Sequence, residues 1–548
     1  MIIPAITPSG NSMSDDLDLG GGTITGLLSS RAARTPSKPA LICEDVQLSY
    51  AELDAQATAV GAGLLALGLE HGESVGVFLS NRAEYLSAYF GITRAGLVEV
   101  PINTAYKGTF LDYALDHTGV RALITESRLA DALGTLPELP EALTTVVFVD
   151  EVPAGFARPG VRALTWAQLL AEGDPQAVFP AVGPGDTAVV MLTSGTTGKS
   201  KGVVCPHLHN VVGARECAAQ MATTADDRLY TCLPLFHGAA AINISLHAIY
   251  AGATIVLGKR FSASRFWDEV RRHGVTQFNA LGSMLPVLLA QPPSERDRDH
   301  PAVRAFAAPA PPEVLHPFEQ RFGVHIVEGY GLTEIKNVTY NPLEGRKVGS
   351  LGKPTASTIL EIHDDHGNPL GPREIGEIVY RPRLDGIMFK HYHRDPEATR
   401  ASFRDGWWRT GDLGFTDEDG FFYFVDRKKD ALRRRGENIS SHEVETVLRA
   451  FPGVVEAAAV ATPSELGEDE VLAVVEVAAA ADLDLKALFE HCDRTMPHFM
   501  VPRYYRVVDQ MPRTPTGKLQ KGVLREEGLT GNVWDAQAAG LTPTRNLR

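Results

Sequence analysis

The 548-residue chain contains little cysteine for its length, with only five such residues. They are widely spaced and form no CxxC pair, at Cys43, Cys205, Cys217, Cys232 and Cys492. Disulfide frameworks and zinc sites both need clustered cysteines, so this spacing predicts neither. We therefore expect the protein to work in a reducing cytoplasm.

The chain also lacks a long apolar run and an excess of basic charge. Its most apolar long stretch, Ala239–Leu257, contains Asn243 and His247, which favours a buried helix–strand pair over a membrane span. Met1–Leu17 has no basic region followed by an apolar region, so no secretory signal is predicted. The net charge of −15 argues against nucleic acid or an anionic membrane as the main partner. A small phosphorylated ligand remains compatible with this balance.

The length of the chain predicts more than one domain, because single cores rarely grow beyond about 250–300 residues. Helical patterns alternate with short β-branched runs, which predicts largely parallel sheets buried on both faces. These runs lie at Ser74–Leu79, Val98–Ile102, Ala122–Thr125, Thr145–Val149, Ala188–Leu192 and Thr254–Leu257. From about Gly376 the strands become short and closely spaced, as in a small antiparallel or barrel-like region.

A separate α+β unit is predicted after the basic segment that follows Asp426. Ser440–Glu443 matches a capping box, S-x-x-E, and precedes an apolar helical stripe. The expected boundaries are 1–20 and 529–548 for flexible tails, 21–428 for an N-terminal domain, and 429–528 for a C-terminal lid domain. Residues 454–461, 471–477 and 504–508 are predicted strands of that lid.

The segment Val189–Val203, VVMLTSGTTGKSKGV, is the first candidate site. Between Thr193 and Lys201 it carries two Gly, five Thr or Ser and two Lys residues after an apolar run. Exposed backbone N–H groups, hydroxyls and ammonium charge suit a phosphate chain, and a solvated surface turn is the alternative. Gly198-Lys199-Ser200 matches the end of a Walker A loop, but the opening glycine position holds Thr193. That mismatch argues against an ordinary P-loop NTPase.

Four further segments place polar residues in unusual settings. They are EGYGLTE at 328–334, WWRTGD at 407–412, DRKKDALRRRGEN at 426–438 and PRTPTGK at 512–518. Taken singly, each has an ordinary alternative: a turn into a helix, a helix cap, a solvated basic linker and an exposed lysine.

Together and in this order, the five segments resemble the motif series of the adenylate-forming (AMP-binding) superfamily. The resemblance runs from about Leu48 to about Leu524, and Phe266–His300 looks most similar to the branch of carnitine-type acyl-CoA ligases. It implies an α/β large N-terminal domain, with stacked mixed sheets plus a small β-barrel-like region. A smaller mobile α+β C-terminal domain would follow.

The resemblance implies two half-reactions at one site. A carboxylate first attacks the α-phosphorus of ATP, and the thiol of coenzyme A then displaces AMP from the acyl-AMP. Both steps concentrate negative charge, so the protein should supply oriented positive groups. The implied partners are a carboxylic acid, ATP, Mg²⁺ and coenzyme A, and a homodimer is an open alternative to a monomer.

The resemblance also assigns nucleotide-binding roles. The phosphates would be held by Thr193, Ser194, Gly195, Thr196, Thr197, Gly198 and Lys201. Tyr330 would lie against the adenine, beside Ala308 and Gly329. Thr333 would contact the α-phosphate, Glu334 would hold Mg²⁺, and Asp412 and Arg427 would bind the ribose. Lys518 would bridge the carboxylate and the α-phosphate, so the catalytic set is Lys518, Thr333, Glu334 and Lys201.

The remaining implied roles concern the acid, the thiol and domain motion. His237 would gate the acyl pocket, although a structural histidine in a turn is the alternative. Asn279, Gly282, Ala308 and Gly329 would form pocket walls. Gly436 and Glu437 would line the thiol tunnel, with Lys429 as the hinge about which the small domain rotates. The walls at Gln277–Leu285 and Ala239–Ile244 contain no Lys or Arg, which predicts a hydrophobic or aromatic acid.

The chain departs from its relatives at two places. Where a Gly-Gly pair is usual, Phe306–Pro312 reads FAAPAPP, and Ser200 stands where proline is common. Extra Cβ atoms and prolines either reshape the acid pocket or weaken adenylation, leaving an enzyme that only thioesterifies acyl-AMP. The sequence is also compatible with an acyl-AMP ligase that loads a carrier protein, with a Walker-type NTPase and with a non-catalytic binding protein.

Overall fold

The computed structural model describes residues 20–193, 200–281, 284–308, 310, 312–427, 432–434, 437–439, 441–464, 469–477, 483–512, 519 and 521–544. The first strands are β1 (Pro39–Cys43), β2 (Val46–Ser49), β3 (Ser74–Phe78), β4 (Val98–Pro101), β5 (Val120–Thr125), β6 (Thr145–Phe148), β7 (Arg162–Thr165), β8 (Thr187–Thr193), β9 (Lys201–Pro206), β10 (Arg228–Thr231), β11 (Thr254–Leu257), β12 (Gln277–Leu281), β13 (Arg304–Ala308) and β14 (His325–Val327). The helices among them are α1 (Ile24–Arg34), α2 (Tyr50–Ala66), α3 (Ala83–Arg94), α4 (Gly108–His117), α5 (Ala130–Gly134), α6 (Trp166–Glu172), α7 (His207–Gln220), α8 (Gly238–Ala240), α9 (His247–Ala251), α10 (Phe266–Arg272), α11 (Met284–Leu289) and α12 (Pro312–Phe322).

The later elements are shorter on average. The strands are β15 (Gly329–Leu332), β16 (Lys336–Tyr340), β17 (Lys353–Pro354), β18 (Thr358–His363), β19 (Gly376–Pro382), β20 (His391–Tyr392), β21 (Phe403–Arg404), β22 (Trp407–Thr416), β23 (Phe422–Arg427), β24 (Leu432–Arg434), β25 (Glu437–Ile439), β26 (Val454–Pro463), β27 (Asp469–Val477), β28 (Tyr504–Val508) and β29 (Val533–Asp535). The helices are α13 (Pro396–Ala401), α14 (Ser441–Arg449), α15 (Leu485–Thr495) and α16 (Lys521–Glu527). A 3₁₀ turn at Ser127–Leu129 and a π-helical segment at Ala241–Leu246 complete the set.

Two large mixed sheets form the body of the N-terminal part. One has the order β20-β9-β8-β4-β3-β5-β6-β7 and the other β14-β13-β12-β10-β11-β1-β2. Most neighbours are parallel, with antiparallel pairs at β8–β9, β9–β20 and β1–β2. One apolar core joins side chains of both sheets and of the helices, including Leu41, Val77 and Phe90. The predicted α/β class with stacked mixed sheets is confirmed, and all six predicted β-branched runs contain a strand.

A smaller antiparallel region follows, with β18, β19 and β22 in order and with β21 and β23 both paired to β22. The GYGLTE segment, which alone predicts a turn into a helix, instead forms β15 and the turn into β16. An added Cβ at Gly329 would lie 2.6 Å from the Thr339 carbonyl oxygen, and one at Gly331 would lie 2.2 Å from that of Lys336. Because glycine has no Cβ, β15 and β16 lie closer together than any other residue at these positions would allow, and the segment forms a hairpin instead of the predicted turn into a helix.

The C-terminal part is an α+β unit whose sheet has the order β26-β27-β28-β29. It follows the predicted pattern of strands and helices, although its expected boundary at 428–429 and Ser440 of the capping box lie outside the described residues. The prediction of a flexible tail at 529–548 is wrong for β29, which pairs antiparallel with β28. Trp534 of β29 packs 5.5 Å from the ring of Tyr505, an anchor too isolated to produce sequence periodicity.

No helix within the described ranges is both long and apolar enough to span a bilayer.

Candidate active site

A cavity of about 1200 Å³ lies where the large sheets meet the antiparallel region and the C-terminal unit. The carboxyl ends of β8, β12 and β13 open into it, as ligand clefts of α/β sheets commonly do. Its lining includes eight predicted site residues: Thr193, Lys201, His237, Asn279, Ala308, Thr333, Glu334 and Asp412. Glu437 of the C-terminal unit also reaches it.

One end of the cavity is built around Asp412, which is 2% exposed. The Tyr330 hydroxyl donates a hydrogen bond of 2.7 Å to its Oδ2. Asp412 lies in a strand rather than at a helix cap, and its backbone pairs with that of Arg427 across β22 and β23. The predicted adenine and ribose residues are thus adjacent in the fold.

A second group of polar side chains lies around Glu334. Tyr392 donates its hydroxyl to Glu334 Oε1 at 2.8 Å, and Lys201 Nζ lies 4.5 Å from the centre of the Tyr392 ring. Burial, followed by the Glu334 charge, raises the pKa of Tyr392 far above its usual range, so this phenol remains a donor. Thr193 pairs with Lys201 across β8 and β9. The predicted phosphate residues Ser194–Gly198 lie outside the described residues.

Glu334 also bears on the predicted Mg²⁺ site. Within the described part of the chain, no three His, Cys, Asp or Glu side chains are grouped closely enough to hold a metal ion. Mg²⁺ is commonly held by one or two carboxylates together with substrate phosphates and water. The Glu334 carboxylate, which lines the cavity, fits that mode of binding.

Where the C-terminal unit reaches the cavity, His237 Nε2 lies 2.8 Å from Glu437 Oε2. His237 directly precedes α8, whereas Glu437 begins β25 in the C-terminal unit. Burial lowers the pKa of His237, but the Glu437 carboxylate outweighs that effect and raises the pKa overall. The contact therefore joins two predicted site residues, from different domains, in a charge-assisted pair.

Two described residues of the FAAPAPP stretch, Phe306 and Ala308, line the cavity. Ala307 is fully buried in the apolar core, and Ala308 lines the cavity. Asn279 donates its side-chain amide to the Ala239 carbonyl at 2.7 Å, which ties β12 to the segment after His237. Gly282, Pro309 and Pro311 lie outside the described residues.

Several functional candidates were missed by the sequence analysis. Tyr392 was missed because only the fold places HYHRDP beside Glu334. Glu443 was assigned to a helix cap, yet its Oε1 accepts hydrogen bonds from Ser200 N at 3.0 Å and Ser200 Oγ at 3.1 Å. Lys518, Gly436 and Lys429 lie outside the described residues, and the side chain of Arg427 is not described.

The C-terminal unit closes over the N-terminal domain at a further contact. Lys107 Nζ donates to the Asp493 carbonyl oxygen. Ala105 is buried in the core of the C-terminal unit, together with Phe499. These contacts fix the arrangement in which Glu437 reaches His237.

Comparisons with known proteins decide the family. The model of the AMP-binding enzyme family matches residues 28–393, and that of the AMP-binding enzyme C-terminal domain matches residues 443–518. The chain belongs to this family. It is an AMP-forming acid–thiol ligase.

Two curated relatives are CoA ligases, which confirms the resemblance drawn from the motifs. The sulfoacetate–CoA ligase of Cupriavidus necator is 33% identical over 509 residues, covering 91% of this chain and 96% of that protein. The crotonobetaine/carnitine–CoA ligase of Salmonella typhi is 31% identical, covering 92% of this chain and 99% of that protein.

The o-succinylbenzoate CoA synthetase of Bacillus subtilis provides a structural comparison in two complexes, at 28% identity. With a CoA product analogue, a double mutant of it gives a TM-score of 0.79 and covers 91% of this chain and 98% of its own. In complex with its acyl-adenylate intermediate, the same enzyme gives a TM-score of 0.64 and covers 91% of this chain and 97% of its own. The structure described here is therefore more similar overall to the CoA-product complex.

Proposed function

We propose that this ligase activates a carboxylic acid with ATP and transfers the acyl group to coenzyme A, using one cavity for both steps. The observation that carries the proposal is the contact of Glu437 with His237. It brings β25 of the small domain to the cavity that also contains Thr333, Glu334 and Asp412.

In the first step, the residues of the predicted site supply binding and charge neutralisation. Asp412 and Arg427 hold the ribose, and the Tyr330–Asp412 hydrogen bond of 2.7 Å orients the ring that covers the adenine. Thr193–Gly198 and Lys201 hold the phosphates, and Thr333 contacts the α-phosphate. Glu334 would hold Mg²⁺, which would supply positive charge beside the phosphates. Lys518 joins the acid and the α-phosphate when the small domain is rotated inward.

In the second step, the small domain rotates about Lys429 into the arrangement seen here. Gly436 and Glu437 then border the path of the thiol. The contact of 2.8 Å between His237 and Glu437 holds the imidazole ring beside this path. The higher TM-score against the CoA-product complex supports this assignment.

The acid that fits best has a hydrophobic or aromatic body. Ala239, Ile242, Ala280 and Leu281 supply apolar surface along the cavity. Ala308 adds one methyl group where relatives carry glycine, so we expect the pocket to be reshaped while adenylation is retained. An enzyme that only thioesterifies acyl-AMP, or one that loads a carrier protein, is the alternative outcome of the test.

The test is AMP release from ATP with a panel of aromatic, aliphatic and sulfonated acids, with and without coenzyme A. We expect AMP and a CoA ester from at least one acid, and pyrophosphate exchange without the thiol. Esterification of synthetic acyl-AMP without any exchange would support the impaired form. Release of ADP, or transfer to phosphopantetheine protein but not to coenzyme A, would contradict the proposal.

A further inference from the structure

The inner part of the acyl cavity carries three asparagines from three separate elements. Asn243 lies in the π-helical segment, Asn279 lies in β12 and Asn337 lies in β16, and all three line the cavity. Single π-helical turns shift the residues that a helix presents and are frequent at functional sites. Asn279 lies two residues before Leu281, so it is about 7 Å deeper than the end of its strand.

Two of the asparagines are held by a hydrogen-bonded chain in the wall behind them. Cys217 Sγ donates to Asn243 Oδ1 at 3.4 Å and lies 2.8 Å from Tyr340 Oη. Asn337 Nδ2 donates to the same Tyr340 hydroxyl at 3.0 Å. Cys217 and Tyr340 are each 2% exposed, so the chain fixes both amide groups from the protein interior.

Each asparagine retains hydrogen-bonding capacity beyond these contacts. Within the described residues, Asn243 Nδ2 and Asn337 Oδ1 have no partner, and Asn279 Oδ1 is buried without one. A Cβ added at Gly331 would lie 2.7 Å from Asn337 Oδ1, so the absence of a side chain there leaves this oxygen open. The cavity thus offers one amide donor, on Asn243, and one amide acceptor, on Asn337, next to the buried Lys336, which also lines it.

We propose that the ligase selects acids that carry a neutral hydrogen-bonding group, such as a hydroxyl, at the end remote from the carboxylate. The inference rests on the proposed function and refines its hydrophobic or aromatic acid to one with a polar terminus. A hydroxyl can accept from Asn243 Nδ2 and donate to Asn337 Oδ1, which satisfies both of these amide groups. A second charge is disfavoured because amides cannot neutralise it in a buried site. The nearby Lys336 is already engaged, since its Nζ donates to Ser357 Oγ at 3.1 Å and the charge of Glu216 acts on it.

The expected discrimination between hydroxylated and hydrocarbon acids follows from the effect of an apolar terminus beside the asparagines. A purely hydrocarbon acid displaces water from the amides without replacing its hydrogen bonds. Sites built to bond a substrate hydroxyl can reject the analogue lacking it by about 10⁴-fold or more. Because Asn243 and Asn337 are only partly enclosed, we expect a preference of about 10- to 100-fold.

Acyl sulfamoyl-adenosines, which mimic the acyl-adenylate without reacting, test the inference directly. Pairs with an unsubstituted or a hydroxylated terminus are prepared on phenyl acids of three chain lengths and on matched C4 to C10 alkyl acids. Their Kd values are measured by calorimetry on the full-length enzyme. We expect the hydroxylated member to bind about 10-fold or more tightly for at least one length.

The variants Asn243→Leu and Asn337→Leu should reduce that preference to about twofold or less, by loss of the hydrogen bonds. Sulfamoyl-adenosine without an acyl group is the control and should bind them as it binds the wild type. Equal affinity within every wild-type pair, or tighter binding of the unsubstituted members, would overturn the inference. Failure of all the mimics, the control included, would instead overturn the adenylate-forming function and the inference with it.

Discussion

Ser200 donates both its backbone N–H and its hydroxyl to the same carboxylate oxygen of Glu443, at 3.0 and 3.1 Å. Ser200 ends the phosphate segment of the large domain, and Glu443 lies in the first turn of α14 in the small domain. The contact therefore joins the two domains in the arrangement that brings Glu437 to His237. A proline at position 200, common among relatives, would lack both donors.

Ser200→Pro should weaken the docked arrangement, because it removes two hydrogen bonds to a carboxylate. Bonds to charged groups contribute about 1.5–3 kcal/mol each, so we expect the thioester step from preformed acyl-AMP to slow by about 10-fold or more. Adenylation should stay unchanged or become faster. Single-turnover measurements of each half-reaction provide the check.

Ser200→Ala is the matched control, because it keeps the backbone donor and should lose less than the proline variant. Equal slowing of both half-reactions by Ser200→Pro would show that the serine serves the phosphate segment rather than domain docking.

Lys518→Ala tests the lysine assigned to the first step. Loss of one preorganised charge-stabilising donor should cost adenylation about 10²–10³-fold. Thioesterification of preformed acyl-AMP should change much less, since the docked arrangement does not require this lysine. Lys486→Ala, an exposed lysine of the same domain, is the control and should affect neither step. Equal losses in both steps would argue against domain alternation.

Glu334→Gln should raise the Mg²⁺ concentration needed for half-maximal adenylation by about 10-fold or more, because Mg²⁺ prefers carboxylate ligands. Tyr392→Phe removes only the hydrogen bond to Glu334 and should have a smaller effect in the same direction. Pyrophosphate exchange measured across a Mg²⁺ titration distinguishes the effects of the two variants. An unchanged Mg²⁺ requirement in Glu334→Gln would place the metal elsewhere.

Docking of the small domain should weaken as the pH rises. The Glu437 carboxylate outweighs the burial of His237 and raises the pKa of the imidazole. The stabilisation of docking by protonated His237 is therefore complete below about pH 6.5 and is lost as the pH rises above the pKa of the docked state. Burial also raises the pKa of Glu443 to about 7, against the opposing effect of the Ser200 hydrogen bonds, and Tyr106 and Tyr113 face the same group. His237 and Glu443 therefore both bind protons more tightly when the small domain is docked.

Fluorescence energy transfer between dyes on the two domains measures this docking from pH 6 to pH 9. The docked fraction should fall through this range, and Glu437→Gln should remove the part due to His237. A docked fraction that rises with pH would contradict the assignment of these two groups.

Most of the fold could be predicted from the sequence because buried parallel strands have unbroken apolar runs. Ser74–Phe78, for example, is buried at all five positions. The hairpin at Gly329–Tyr340 could not be predicted in this way. Its two strands approach closely because Gly329 and Gly331 of β15 lie against the backbone of β16, a contact that no local pattern shows. The pairing of β29 was missed for a related reason, since a single aromatic anchor has no periodicity.

The site was predictable wherever a motif carried the chemistry, as at Asp412 and Glu334. Residues that act through tertiary contacts were not. Asn337 lies just beyond the GYGLTE motif, and its link to Asn243 passes through Cys217 and Tyr340, which are distant in sequence. No local sequence pattern encodes such a series of hydrogen bonds.

The central claim is that the arrangement described here performs the thiol step. Lys107→Cys and Asp493→Cys place two thiols at a contact outside the catalytic residues, whereas the five native cysteines are all buried. Joining them with a short, reducible bismaleimide holds the domains docked. The decisive measurement is the rate of each half-reaction before and after reduction. We predict that the linked enzyme esterifies preformed acyl-AMP but loses pyrophosphate exchange until reduced; retained exchange with a blocked thiol step would contradict the account.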